Sequence, residues 1–233
     1  MFDRRVACLF AALALWIGWS SAARAQETVS IAGAQAVLLK PPQPRASAIL
    51  LPGGDGNIGV EANGTMTRLL GNQLVRTRQA YVARGLAVLI PDAGVNLAQA
   101  VAYMAAIKRP VKVIATSRGT LRAAQGIAGG ARPDSLVLTA GFLTSDSGSG
   151  DNVQSVLGSP AALPPTLIIH HRRDTCRATL PAGVDPFVRW AAGKARVVWL
   201  DGGTSVGDPC QARAYHGFNG IDGQVVSAAA GFR

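Results

Sequence analysis

Apolar and polar positions along this chain fall into short runs separated by glycine- and proline-rich breaks, and from Thr28 onward the runs alternate in kind. Thr28–Ala32 and Gln35–Lys40 read as two short strands, followed by the linker Pro41-Pro42-Gln43-Pro44. Ala48–Leu51 is a fully apolar run ending in Pro52-Gly53-Gly54-Asp55-Gly56, the pattern of a buried strand feeding a glycine loop. Leu70, Leu74, Tyr81 and Val82 recur at helical spacing and predict a helix from Thr67 to Arg84. Ala87–Pro91 reads as a strand, Leu97–Lys108 as a helix, and the β-branched Val111–Thr116 as a strand. A helix over Gly119–Ile127 stops at Gly129-Gly130. Ser135–Ala140 is a strand, Thr144 to Pro165 a Ser/Gly/Pro-rich connection, and Thr166–His170 a strand. A short helix over Pro186–Ala192, a strand over Ala195–Leu200 and a closing helix over Val225–Ala230 complete the series.

Strands separated by helices imply an α/β domain: a mostly parallel central sheet with helices on both faces. In such sheets sites form outside the carboxyl ends of the strands. That rule selects the loops at 53–58, 117–119 and 171–176 and the segment after 200.

The first 25 residues follow a different pattern. Arg4 and Arg5 precede an apolar run from Val6 to Trp19, and Ala23-Arg24-Ala25 fits an A-x-A cleavage site. This predicts a signal peptide cut after Ala25, a single domain over 26–233, and a secreted or periplasmic protein. The apolar run is short against the roughly 20 residues of a spanning helix, so no stable membrane anchor is expected. Cys8 leaves with the leader. Cys176 and Cys210 remain as an even pair in an oxidising compartment, which predicts a disulfide.

Composition adds little to this. Hydrophobic residues make up 48% and charged residues 15%, a globular balance that excludes disorder. The formal charge of +10 raises a nucleic-acid reading. The basic residues are scattered, as at Arg76, Arg84, Lys108, Arg122 and Arg196, with no dense run, and no nucleic-acid partner is expected.

The chemistry concentrates in Ala115-Thr116-Ser117-Arg118-Gly119, set between a strand and a helix. Small residues flank the serine because the turn is sharp and the two backbones nearly touch. A serine after a strand, taken alone, is more often a helix cap; the small flanks shift the reading toward a nucleophile. Such a serine needs an oriented base. Three histidines are present, His170, His171 and His216. His216, in a loop after the last strand and beside Gly217, is the best placed base, and Asp174, just past the strand Thr166–His170, the best placed acid. Asp201 is a distant second, and Asp92 reads as a turn residue. Of His170 and His171, one is expected to line the pocket and the other to pack. With Asp174 and Cys176 they have no recognised zinc spacing, so no metal is expected. The backbone N–H of Arg118 and one from the glycine loop, Gly54 first and Gly53 second, would form an oxyanion hole. A disulfide between Cys176 and Cys210 would clamp the acid loop beside the base loop.

The order Ser117, Asp174, His216 with this elbow resembles the α/β-hydrolase superfamily, in particular its small capless members similar to dienelactone hydrolases and bacterial esterases. The resemblance covers residues 28–233. It implies the α/β-hydrolase fold without a large cap domain, acyl transfer through a covalent intermediate on Ser117, a small-molecule acyl substrate, and no cofactor. Arg118, Arg172 and Arg173 near the site would suit an anionic substrate or point to solvent. A peptidase or thioesterase would use the same residues, and a binding protein could keep the fold without the activity.

Overall fold

The computed structural model describes residues 26–233. The expected leader at 1–25 lies outside them. Among the described residues no helix is long and apolar enough to cross a membrane. Strands β1 (Gln26–Ile31) and β2 (Ala34–Leu39) form an antiparallel hairpin. Six more follow: β3 (Ala46–Leu51), β4 (Leu86–Pro91), β5 (Val111–Thr116), β6 (Ser135–Thr139), β7 (Thr166–His171) and β8 (Ala195–Leu200). They form one sheet in the order β1-β2-β4-β3-β5-β6-β7-β8. β2 joins β4 antiparallel, and every pairing from β4 to β8 is parallel.

Alternate residues of the strands feed two separate cores. Leu38, Ile49, Leu89, Val113, Leu136 and Ile168 face helices α2 (Leu97–Ile107), α3 (Gly119–Ala128), α4 (Val153–Leu157) and α5 (Val184–Trp190). Leu39, Leu50, Ile90, Ile114, Val137 and Ile169 face α1 (Gln73–Ala83) and α6 (Asp222–Gly231). This two-sided burial is why β3, β4 and β5 read as unbroken apolar runs. From β3 the chain moves to β4 on one side and later to β5 on the other. The strand order therefore reverses between β3 and β5, and a crevice opens at their carboxyl ends.

Several expectations shift. The helix expected from Thr67 begins at Gln73, because Leu69 takes a positive φ of 54° and the Asn72 side chain accepts from Leu74 N–H, starting the helix there. The connection after β6 is more ordered than its composition implies. It holds 3-10 turns at Ser145–Ser147 and Pro160–Ala162 and the helix α4, whose cap Asn152 accepts from Ser155 N–H. It builds no cap domain. The short helix expected over Pro186–Ala192 runs over Val184–Trp190 instead, with its proline in the first turn, where the missing N–H costs least.

α3 passes directly over the end of β3. A Cβ at Gly119 would lie 2.2 Å from the Leu51 carbonyl oxygen and 2.6 Å from that of Pro52. Both are backbone atoms and cannot swing aside. Gly119→Val is therefore expected to destabilise the protein by about 3 kcal/mol or more, read as a fall in the urea unfolding midpoint; an unchanged midpoint would refute this packing constraint.

Candidate active site

Ser117 sits at the β5–α3 junction with φ 53°, a left-handed conformation that is costly for a residue with a Cβ. The neighbouring chain holds it there. Ser117 N–H donates to the Thr139 carbonyl at 3.0 Å, and Thr120 returns its N–H at 2.9 Å and its hydroxyl at 2.7 Å to the Ser117 carbonyl. The serine projects into a cavity of about 280 Å³ at the switch point. Gly53, Gly54, Asn72, Cys210 and His216 share its wall.

The glycine loop is held from behind. Arg122, just over one turn beyond Ser117 on α3, donates to the Pro52 carbonyl and, at 3.1 Å, to the Gly54 carbonyl. In a trans peptide the N–H points opposite to the carbonyl, so binding the Pro52 carbonyl turns the Gly53 N–H away from Arg122. Among the described residues no protein group accepts from the N–H of Gly53, Gly54 or Arg118. Burial lowers the Arg122 pKa, yet the nearby Asp55 favours its charged form. Asp92 is more than a turn residue: its carboxylate accepts the N–H groups of Ile58, Val60 and Ala93 and shapes the rest of this loop.

Asp174 follows β7 and His216 lies in the loop after β8, and the structure joins them. His216 Nδ1 is 3.1 Å from Asp174 Oδ2. Both side chains are buried. Cys176 N–H donates to the other carboxylate oxygen at 2.9 Å. Thr179, which no sequence rule singled out, completes the group: its Oγ1 is 3.1 Å from Asp174 Oδ2 and 2.9 Å from His216 Nδ1. Asp174 can only accept, so the Thr179 proton goes to it, and the His216 Nδ1 proton is shared between Asp174 and the Thr179 oxygen. That leaves His216 Nε2 bare, as a proton acceptor. His216 and Ser117 line the same cavity without a direct hydrogen bond.

The disulfide Cys176–Cys210 is present, with Cα atoms 4.6 Å apart. It ties the loop of Asp174 to that of His216. Arg76 holds the latter from α1, donating to the Gly217 carbonyl at 2.7 Å and to both oxygens of Asp222 at 2.8 and 2.9 Å.

The other histidines are structural. His171 Nδ1 accepts from Arg173 N–H at 3.0 Å, so its Nε2–H donates to the Gly202 carbonyl at 2.9 Å; its ring stacks on Tyr215. His170 is fully buried against the Thr179 and His171 carbonyls. The expectation that one of the two lines the pocket is not met, because both rings are spent holding loop backbone. Asp201 is exposed and paired with Arg173 at 2.8 Å, its pKa lowered by the Gly202 N–H and by Arg173. Arg173 also covers Tyr215, and Arg172 lies over Trp199. Neither lines the cavity. Among the described residues no cluster of three or more His, Cys, Asp or Glu side chains is arranged to hold a metal ion.

No family model matches this sequence, and no curated protein does. Solved structures do, over most of the chain. The esterase domain of a Rhodothermus marinus protein matches with a TM-score of 0.58 at 14% identity, over 88% of this chain and 97% of its own. An esterase/lipase from an uncultured bacterium matches at 0.56 and 17%, over 88% and 82%. The dienelactone hydrolase of Anabaena variabilis matches at 0.55 and 14%, over 89% and 94%. The chain has the α/β-hydrolase fold.

Reducing the disulfide, or substituting Cys210→Ser, is expected to cost about 3–4 kcal/mol for this loop of 34 residues, measured as the difference in urea unfolding free energy with and without reductant. His170 supplies a pH test. Burial holds its pKa below the usual value, outweighing Asp174 and the two carbonyls. The unfolded chain then takes up a proton near pH 6.5 that the folded chain refuses. The stability from a neutral His170 is complete above that pH and is lost as the pH falls below it. Unfolding midpoints from pH 8 to pH 5 should fall more steeply for the wild type than for His170→Gln; equal slopes would rule this out.

Proposed function

We propose that this chain is an exported serine hydrolase that cleaves a carboxylic ester or related acyl compound, with Ser117 as nucleophile, His216 as base and Asp174 as the acid that orients it. The observation that carries this reading is the buried Asp174–His216 pair, whose histidine lines the same cavity as a serine on a strained strand–helix turn. Esterases and a dienelactone hydrolase among the similar structures support hydrolysis as the reaction class. The leader-like segment over 1–25 and the disulfide support export.

In this mechanism the Ser117 oxygen bonds to the acyl carbon while its proton passes to His216 Nε2. The carbonyl electrons move onto oxygen, which the N–H groups of Arg118 and Gly54 (Gly53 second) receive. Asp174 and Thr179 hold the imidazolium. The tetrahedral centre collapses, the bond to the alcohol breaks, and His216 returns the proton to that leaving group. Water, activated by the same histidine, releases the acid and frees Ser117. No cofactor enters.

Of the three arginines near the site, Arg172 and Arg173 are engaged with Trp199, Tyr215 and Asp201 and give no support to an anionic substrate. A fluorophosphonate probe is expected to label the wild type and not Ser117→Ala. p-Nitrophenyl esters of graded acyl length should be hydrolysed by the wild type and fall at least 10³-fold with the variant. A folded wild type that neither labels nor turns over refutes the enzyme, and faster turnover of an aminopeptidase or thioester substrate redirects the reaction type.

A further inference from the structure

Asn72 has a role in the helix and a second group left over. Its Oδ1 accepts from Leu74 N–H at 3.1 Å and caps α1. The opposite placement of the amide would set two donors against each other, so the cap fixes which atom faces outward. Nδ2 is turned the other way and donates to no protein group among the described residues. Asn72 lines the cavity with Ser117 and His216. The position a Cβ would take at Gly53 lies 3.4 Å from Asn72 Nδ2 and 3.5 Å from Ser117 Oγ. The free amide and the nucleophile therefore flank one point beside the glycine loop. Only a glycine leaves that point open.

Resting on the esterase reading above, we propose that Asn72 Nδ2 is a side-chain donor to the substrate carbonyl oxygen as it becomes the oxyanion, alongside the backbone N–H groups of Arg118 and Gly54. When Ser117 Oγ bonds to the acyl carbon, the displaced electron pair settles on that oxygen, which then needs more donors than the ground-state carbonyl. A carboxamide whose oxygen is already bound to the helix supplies one without reorganising. The gain arises in the transition state, so it appears in kcat more than in KM.

The cap makes the role separable from folding. Serine and aspartate cap helices as well as asparagine does. Asn72→Ser keeps the cap oxygen but stops short of the cavity. Asn72→Asp keeps the cap and places a negative oxygen where the donor was. With p-nitrophenyl butyrate as substrate, Asn72→Ser is expected to lower kcat by about 10²–10³-fold with KM within about threefold of wild type. Asn72→Asp is expected to fall further, and both to keep the wild-type thermal midpoint. Asn72→Ala should lose both activity and thermal stability. If Asn72→Ser stays within about threefold of the wild-type kcat while Ser117→Ala is dead, the donor role is overturned and the esterase reading stands. If the wild type shows no Ser117-dependent turnover, both fall together.

Discussion

The sharp turn at Ser117 is the constraint on which the rest of the site depends. A non-glycine residue at positive φ is held in place by hydrogen bonds from β6 and from the first turn of α3. The turn sends α3 back across the end of β3 so closely that residue 119 has no room for a Cβ. The same crossing brings Arg122 beneath the glycine loop, where it binds two carbonyls. One backbone conformation thus exposes the serine, aims the loop, and requires small residues on either side.

The Asp174–His216 pair is built by different means. Asp174 comes from the loop after β7 and His216, 42 residues on, from a single 3-10 turn over Tyr215–Gly217 after β8, so neither rests on a long helix or a strand. They are joined by a covalent bridge two residues from Asp174, a threonine between carboxylate and ring, and an arginine from α1 behind the histidine loop. His170 adds a further tie by holding the Thr179 backbone from beneath. Ser117 rests on the sheet, whereas Asp174 and His216 rest on cross-links between loops.

The strong positive charge is largely absorbed in this scaffolding. Arg76 binds Asp222, Arg109 binds Asp134, Arg122 binds loop carbonyls, and Arg172 and Arg173 cover aromatic rings. Lys112 is buried and spends its ammonium on the last carbonyls of α6, with its pKa lowered to about 8 by burial and by Arg45 and Arg233. At these residues the positive charge fastens loops and helix ends.

What the sequence by itself determined was whatever local chemistry dictates. The two-sided burial of the sheet is written in its unbroken apolar strands, the elbow in its small flanking residues, and the disulfide in the two cysteines of residues 26–233. Asp174 and His216 stood out as candidates because so few histidines and strand-end carboxylates compete. The tertiary structure alone decided the rest. Thr179 joins Asp174 and His216, Arg122 sits behind the glycine loop, and Asn72 lines the cavity with Ser117, because segments distant in the chain converge where the strand order reverses. Hydrophobic periodicity reports only on a residue's own element, and a hydrogen bond between two loops leaves no period to read. The start of α1 shows the boundary well. Its apolar spacing extends back to Leu70, yet the cap at Asn72 and the turned backbone at Leu69 start the helix later and leave the asparagine facing the cavity.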